Sequence, residues 1–409
     1  MSKKHTIFLA SFLAFLLIVF SCLPVFAAEA SGFITEDSPA LLRFVKNLIK
    51  KIDFATSITT AYDSNIFLTE DAEDADMITT LTQKVSLELI EEPFYFDLGY
   101  TGNVSYYIDE GDNLHDHVAK CIFSYRPFEN FSYGIGNYFK KVASKKIATP
   151  FGDRLLTRGY KEDTPVFEVK WQPRDKLSVE YSWLHYWLDA DSSADDFIDR
   201  GDNSARIAFD YEFWNDFIGT VGYRYYDAHF PHRGAKDTES SRGFYGITKK
   251  FPGAFNLTVE AGNEHKKTVY QNNDSNIDAR LSLNTTFSVY TIFSLNYTYN
   301  RVLPSARSEY FQYFTNSVSA GIKHIINPKT TIFVNGGVEQ QDFDSADALS
   351  GQPVIDRETE IISCGASLRR KLNDYLTVNL GYEYTKRNTD FASEGYSDNK
   401  VSLGVTARY

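Results

Sequence analysis

The last nine residues, Val401-Ser402-Leu403-Gly404-Val405-Thr406-Ala407-Arg408-Tyr409 (VSLGVTARY), alternate apolar and polar side chains without a break. Successive side chains of an extended strand point to opposite sides, so Val401, Leu403, Val405, Ala407 and Tyr409 share one face. Ser402, Gly404, Thr406 and Arg408 share the other. Taken alone, nine such residues also fit a half-buried strand of a soluble sheet. The rhythm of the whole chain decides between the two.

The two-faced pattern recurs with tight and long connections taking turns. Near 77–90, Leu81, Val85, Leu87 and Leu89 oppose Thr82, Lys84, Ser86 and Glu88. The turn EEPF leads to a strand over 94–107 with Phe94, Phe96, Leu98 and Tyr100 on its apolar face. Further tight turns fall at RPFEN, QPRDK, FWNDF, FPGAF, SVYT, INPKT and KLNDY, and longer polar connections at 109–116, 143–162, 189–203, 229–241, 269–276 and 344–357. The count is about eighteen strands, eight short turns and nine longer loops, an even number with its short turns on one side, as in bacterial outer-membrane barrels. The fold class is therefore all-β: one antiparallel transmembrane barrel with short periplasmic turns, longer extracellular loops and both termini periplasmic. Proline, which cannot donate to a strand ladder, agrees. Pro93, Pro127, Pro173, Pro252 and Pro328 fall in turns, Pro150, Pro231, Pro304 and Pro353 in loops, and Pro165 at an expected strand start.

The first residues place the chain outside the cytoplasm. Lys3 and Lys4 precede an apolar run from Ile7 to Phe20 and then small residues, the layout of a secretory signal cleaved after Ala27 or Ala30. The expected organisation is a signal peptide at 1–27, a periplasmic segment at 31–51 and a barrel over 52–409. Losing residues 1–27 removes two lysines and no acid, moving the formal charge from -12 to -14. That balance speaks against nucleic acid as a partner. Cys121 and Cys364 remain, both on apolar faces far apart in strand order, and are expected as free thiols. Past the signal, no window approaches the ~20 apolar residues of a membrane helix. Mean hydropathy is -0.33 although 15% of residues are aromatic, which suits strands that dilute their apolar face by alternation.

The polar faces become the lumen if the apolar faces meet lipid. The candidate lining is Glu168, Glu180, Arg206, Asp210, Arg224, Glu260, Arg280, Glu339, Arg369, Glu383 and Arg408, with Thr258, Ser282, Asn284, Asn296, Thr298 and Asn379 between them. Opposite charges on neighbouring strands satisfy one another and also offer hydrogen bonds to polyhydroxylated solutes. Trp171, Phe213, Trp214, Phe217, Phe251, Phe255, Phe287, Tyr290, Tyr375 and Tyr409 gather beside the short turns, the position of an interfacial girdle. Barrels of 16–18 strands leave an aqueous channel. The acidic loops imply a weak cation preference that salt would screen.

Other features carry less. Residues 38–51 (SPALLRFVKNLIKK) form an expected amphipathic helix, capped by Ser38 and started by Pro39. Leu41, Leu42, Val45, Leu48 and Ile49 fall on one of its faces. His115-Asp116-His117 and the pair His229 and His232 are the best catalytic candidates, but they sit among polar loop residues with no hydrolase signature around them. The loop DSNIFLTEDAEDAD lacks the ligand order and glycine of a calcium hand. No phosphate loop, dinucleotide fingerprint or paired-cysteine motif occurs. No enzyme activity, metal or cofactor is expected.

Tyr62-Asp63-Ser64-Asn65-Ile66-Phe67-Leu68 (YDSNIFL) leaves the first expected strand. It resembles the Y-x-x-N-[IV]-[FY] signature of the family called β-barrel porin 2, with Tyr62, Asp63 and Asn65 at the motif positions. The resemblance implies an outer-membrane port of an exopolysaccharide export system, with polysaccharide and a periplasmic export protein as partners. Asp63 and Asn65 are also ordinary loop formers. A diffusion porin, general or sugar-selective, and a non-transporting adhesin or scaffold are the other readings. The remaining expected partners are outer-membrane lipid, lipopolysaccharide and the barrel assembly machinery, for which Val401, Leu403, Val405 and Tyr409 resemble a C-terminal assembly signal. The expected location is the outer membrane of a Gram-negative-type bacterium.

Overall fold

The computed structural model describes residues 52–65, 75–91, 93–109, 113–143, 146–147, 154–155, 159–191, 199–231, 237–251, 255–268, 274–288, 290–302, 312–344, 357–390 and 395–408. The signal peptide at 1–27, the helix at 38–51, Ile66 to Leu68 of the YDSNIFL motif, most of the acidic loop, Pro150, Pro252, Pro304, Pro353, His232 and Tyr409 lie outside the described residues.

Extended segments follow the alternating stretches. They begin with β1 (Ile52–Asp63), β2 (Asp76–Glu91), β3 (Phe94–Tyr107), β4 (Asn113–Phe128) and β5 (Phe131–Val142). A separate small hairpin, β6 (Lys146–Ile147) and β7 (Arg154–Leu155), follows. Next come β8 (Tyr160–Arg174), β9 (Leu177–Ala190), β10 (Arg200–Trp214), β11 (Phe217–His229) and β12 (Thr238–Phe251). The series continues with β13 (Phe255–Thr268), β14 (Asp274–Ser288), β15 (Thr291–Val302) and β16 (Gln312–Asn327). It ends with β17 (Thr330–Asp344), β18 (Arg357–Lys371), β19 (Leu376–Thr389) and β20 (Tyr396–Arg408).

Without β6 and β7 these form one 18-stranded antiparallel sheet. Each strand pairs with the next in the chain, β5 pairs with β8, and β1 closes on β20 from Ala55 opposite Arg408 to Asp63 opposite Lys400. The expected single barrel of about eighteen strands is the fold observed. Eight connections span two to four residues and the other nine span five to seventeen, and the start of β1 and the end of β20 lie at the short-turn end. Five hairpins shift register just before their short turn, at Tyr125/Phe128, Trp171/Arg174, Glu212/Trp214, Thr286/Ser288 and Ile325/Asn327. Such bulges add local twist where the chain must reverse. Asp216 occupies the left-handed region (φ 62°) in one of these turns, a conformation Asp tolerates better than most residues. In the turn after β18, Asp374 Oδ1 lies 3.0 Å from Lys371 Nζ, and this hydrogen bond holds the Asp374 carboxyl below its ordinary value.

Two boundaries differ from the sequence reading. β4 begins at Asn113, so His115, Asp116 and His117 stand in a strand and not in a loop. β8 begins at Tyr160, which puts Pro165 inside it. Pro165 pairs with Asn137 of β5, whereas the pairs with β9 pass from Asp163 to Val166. The side lacking an N–H is thus turned toward a local gap in the ladder. In both places the strand runs further toward the long connections than its apolar pattern does. Strands of 12–16 residues, at about 3.3 Å per residue and a tilt near 40°, stand roughly 30–40 Å tall, more than the ~25 Å apolar band of such barrels. Their loop-side ends need not be apolar.

Side chains inside a closed barrel converge and shelter one another, and those outside diverge. Consecutive residues show which is which. Phe244 is 2% exposed beside Tyr245 at 66%, and Asp278 is 5% exposed beside Ile277 at 71%. Exposed large apolar residues such as Val221, Tyr245, Ile277, Val318 and Leu403 therefore lie on the outer face, while Val118, Ile292 and Phe333, opposite Lys140 and Lys323 in register, are exposed on the inner one. Neither Cys121 nor Cys364 is in a disulfide, and they stand opposite Leu98 and Tyr384 in register. Along β12 the inner residues run from buried Thr238, Ser240, Arg242 and Phe244 at the loop end to half-buried Gly246 and Thr248 and exposed Lys250 at the turn end. Along β12 the inner wall is covered toward the loop and open toward the short turn.

Candidate functional site on the inner wall

Strand register stacks inner side chains into rows. One row runs Glu168–Ser182–Arg206–Arg224–Arg242–Glu264 across β8 to β13. The row beneath it, toward the short turns, is Ala208–Gly222–Phe244–Gly262–Asp278. The small residues of the lower row make the upper one possible. A Cβ on Gly222 would lie 2.2 Å from Phe244 Cζ, and one on Gly262 would lie 2.7 Å from Arg242 Nε. The Phe244 ring thus lies across Gly222, and the Arg242 guanidinium crosses Gly262 to reach Asp278.

Arg242 Nε donates to Asp278 Oδ1 at 2.9 Å and Nη2 donates to Glu260 Oε1 at 2.8 Å. This buried cation is paired twice, which offsets its desolvation. The guanidiniums of Arg206 and Arg242 sit 4.8 and 5.1 Å from the centroid of Phe244, within cation–π range. Among the described residues, no carboxylate lies within ion-pair distance of Arg206 or Arg224, and Glu264 instead accepts a hydrogen bond from Ser240 Oγ.

A second cluster lies nearer the loops. Arg200 Nη2 is 2.9 Å from Asp202 Oδ2, which also accepts from Tyr226 OH at 2.8 Å. Arg200 packs over the Tyr186 ring at 5.1 Å, and Tyr186 OH donates to Glu162 Oε1 at 3.1 Å. Across the barrel, Asn300, Thr315, Gln341 and Thr359 form one register row of polar residues.

The lining candidates occupy these rows as follows. Glu180 lies 3.4 Å from Lys170, Asp210 accepts from Thr220 Oγ1 at 2.6 Å, and Glu339 accepts from Gln341 Nε2 at 2.7 Å. Arg408 Nη2 is 2.8 Å from Asp53 Oδ2. Arg280 stands opposite Glu260 and Thr298, Arg369 opposite Thr331 and Asn379, and Glu383 opposite Gly365 and Lys400. Glu168 faces Gly134 and Ser182. The structure adds four residues that the sequence reading left out: Arg242, Phe244, Asp278 and Asp202. Phe244 carried a signal, because an aromatic residue on the polar face of its strand breaks the alternation.

The described part of YDSNIFL ties the two ends of the sheet together. Ser64 N–H donates to Asn399 O (3.0 Å) and Asn399 N–H donates to Ser64 Oγ (2.8 Å). Asn65, fully buried, donates from Nδ2 to Ser397 O (3.2 Å), and its N–H reaches Asp63 Oδ1 (3.2 Å). Tyr62 faces outward, paired with Val401. In β20, Val401, Leu403 and Val405 are exposed on the outer face, and Val405 lies opposite Ile58.

The histidines are distributed and do not converge. Alternation along β4 sends His115 and His117 outward and Asp116 inward. His117 Nδ1 is 2.8 Å from Tyr100 OH, Asp116 Oδ1 accepts Ala143 N–H at 2.9 Å, and His229 Nδ1 is 2.9 Å from Asp237 Oδ2. Among the described residues no group of three or more His, Cys, Asp or Glu is placed to hold a metal ion. Beside the short turns, Trp171, Trp214, Tyr290 and Tyr375 are exposed, Trp214 stacks on Phe217 at 6.0 Å and Phe251 on Phe255 at 4.0 Å. The Phe287 side chain lies outside the described residues. A closed antiparallel barrel with an apolar outer belt, rings at the turn-side rim and a charged inner wall is a multi-pass outer-membrane barrel.

No family model matches the chain, and no curated protein matches it in sequence. The resemblance of YDSNIFL therefore has no family-level support. Among solved structures, Pseudomonas aeruginosa OccK2 (OpdF) aligns over 88% of this chain and 98% of its own at 9% identity and TM-score 0.49. Pseudomonas aeruginosa OpdK with vanillate aligns over 88% and 99% at 10% identity and TM-score 0.49. The FrpB iron transporter from Neisseria meningitidis aligns over 89% and 83% at 9% identity and TM-score 0.47. Likeness of this degree says nothing of the solute, and the closure of the barrel rests on the chain's own register.

Proposed function

We propose that the chain is a passive channel for small hydrophilic solutes across the outer membrane. The observation that carries this reading is the inner wall. Its register rows are polar and charged, and along β12 it grows more exposed from mid-barrel to the short-turn end. An 18-stranded barrel is wide enough to hold water unless obstructed. Hydroxyl, amide and charged groups along the wall, such as Ser282 donating to Asn296 Oδ1 at 2.9 Å, can exchange partners with a passing solute. The proposed outer contacts are lipid and lipopolysaccharide, with β20 read by the assembly machinery.

The polysaccharide-port reading rests on the resemblance of YDSNIFL, with chain length and strand rhythm, to one family, and Ser64 and Asn65 of that motif hydrogen-bond to β20 at the seam. Liposome swelling separates the two. Purified barrel should admit monosaccharides and disaccharides at rates that fall with solute size. Deleting residues 31–50, ahead of β1, or 143–160, the longest connection, should raise those rates. Loss of the protein should leave surface polysaccharide unchanged. Liposomes no leakier than protein-free controls in any form would contradict the proposal, and polymer accumulating in the periplasm of a knockout would restore the port.

A further inference from the structure

Resting on the channel reading above, we infer that Arg206 and Arg224, braced by Phe244, form a binding station for small oxyanions (carboxylate or phosphate) on the channel wall. Register makes Arg206, Arg224 and Arg242 immediate cross-strand neighbours on β10, β11 and β12. Directly opposed residues have Cβ atoms about 4.5–5.5 Å apart, and like charges so placed repel. Among the described residues, direct ion pairs relieve this at Arg242 alone. Arg242 is paired with both Asp278 and Glu260. Arg206 and Arg224 have no such partner among the described residues, and the nearest acids in their row are displaced from them. Glu168 is two strands from Arg206, and Glu264, two strands from Arg224, is engaged by Ser240.

The pair is also built. Ala208 and Gly222 clear a shelf on which the Phe244 ring lies buried, and Arg206 stacks on that ring at 4.8 Å. A stacked guanidinium keeps its fork of donors free and pre-oriented, which matches the planar oxygens of a carboxylate or phosphate. An anion between the two arginines would remove the repulsion that the fold leaves in place. The row lies on the covered stretch of the wall, where bulk salt screens least. Selectivity is therefore set here, and the channel favours anions although the chain as a whole carries a formal charge of -12. That reverses the cation preference expected from the acidic loops.

Two measurements on the full mature chain test the inference. In planar bilayers under a KCl gradient, the reversal potential should show chloride passing more readily than potassium. Millimolar phosphate should reduce the chloride current. The double variant Arg206→Gln/Arg224→Gln should lower the chloride-to-potassium ratio by roughly threefold or more, since wall charge changes local ion concentration several-fold, and should abolish the phosphate effect. Titration calorimetry in detergent should show phosphate or acetate binding to the unmodified barrel and none to the double variant. A conducting barrel that prefers cations and binds neither anion would overturn the inference and leave the channel reading standing. A silent barrel that still binds phosphate through these arginines would do the reverse. If the double variant fails to fold, cation preference and absent phosphate block in the unmodified protein suffice to reject the station.

Discussion

A methyl group on Gly222 would meet Phe244 Cζ at 2.2 Å and the Ile207 carbonyl oxygen at 2.6 Å, whereas one on Gly243 would meet nothing within 4 Å. The ring can shift and the backbone oxygen cannot. Gly222→Ala should therefore destabilise the barrel by about 1–3 kcal/mol, the usual range for forced overpacking, and Gly243→Ala should be close to silent. The temperature at which each variant loses its heat-modifiable mobility on gels checks this, and equal temperatures would refute it. At the seam, Asn65→Ala removes a buried donor to Ser397 O and should cost about 1–3 kcal/mol, again read as a lower unfolding temperature. Little of this was legible in the sequence. Charged inner positions such as Arg206, Arg224 and Glu260 were readable because they alternate with apolar neighbours. Phe244 stood out only as a break in the alternation, and the roles of Arg242 and Phe244 depend on glycines in β11 and β13 that only strand register brings beneath them.

Each strand shows how far alternation can be trusted. In β20, Leu403 and Val405 face outward beside β1 and β19. Changing both to Asp should bring charge toward lipid, at somewhat less than the ~2–4 kcal/mol that Lys or Arg costs at midplane. Deleting Tyr409 should remove the end of the proposed assembly signal. Both changes should reduce folded barrel in outer-membrane fractions, and undiminished heat-modifiable protein would tell against the lipid-facing assignment. Seven of the eight tight turns were readable from their Pro, Asn or Asp residues and the eighth, SVYT, from the strand rhythm, and all stand where expected. The other ends were not. β4 starts at Asn113 and β8 at Tyr160, in polar sequence that continues the ladder beyond the apolar band. Past the lipid, backbone pairing persists without an apolar face to mark it.

For the molecule as a whole, alternation gives two faces but does not say which of them meets water. A sandwich would bury the apolar face and a membrane barrel would expose it. The sorting of connections by length and the rings beside the short turns chose the barrel, and closure of β1 on β20 agrees with that choice. The central claim is that one face of every strand meets lipid while the other lines a wet lumen. Adjacent residues in the middle of β16 test it: Val318 lies between Tyr297 and Val338 on the outer face, and Ser319 between Asn296 and Gly337 on the inner. In a background with Cys121 and Cys364 replaced by serine, Val318→Cys and Ser319→Cys would each be exposed to a charged, membrane-impermeant thiol reagent in intact outer membranes. Ser319→Cys should be labelled rapidly and Val318→Cys should stay protected until detergent is added; equal labelling of the two, or labelling of Val318→Cys alone, would contradict the account.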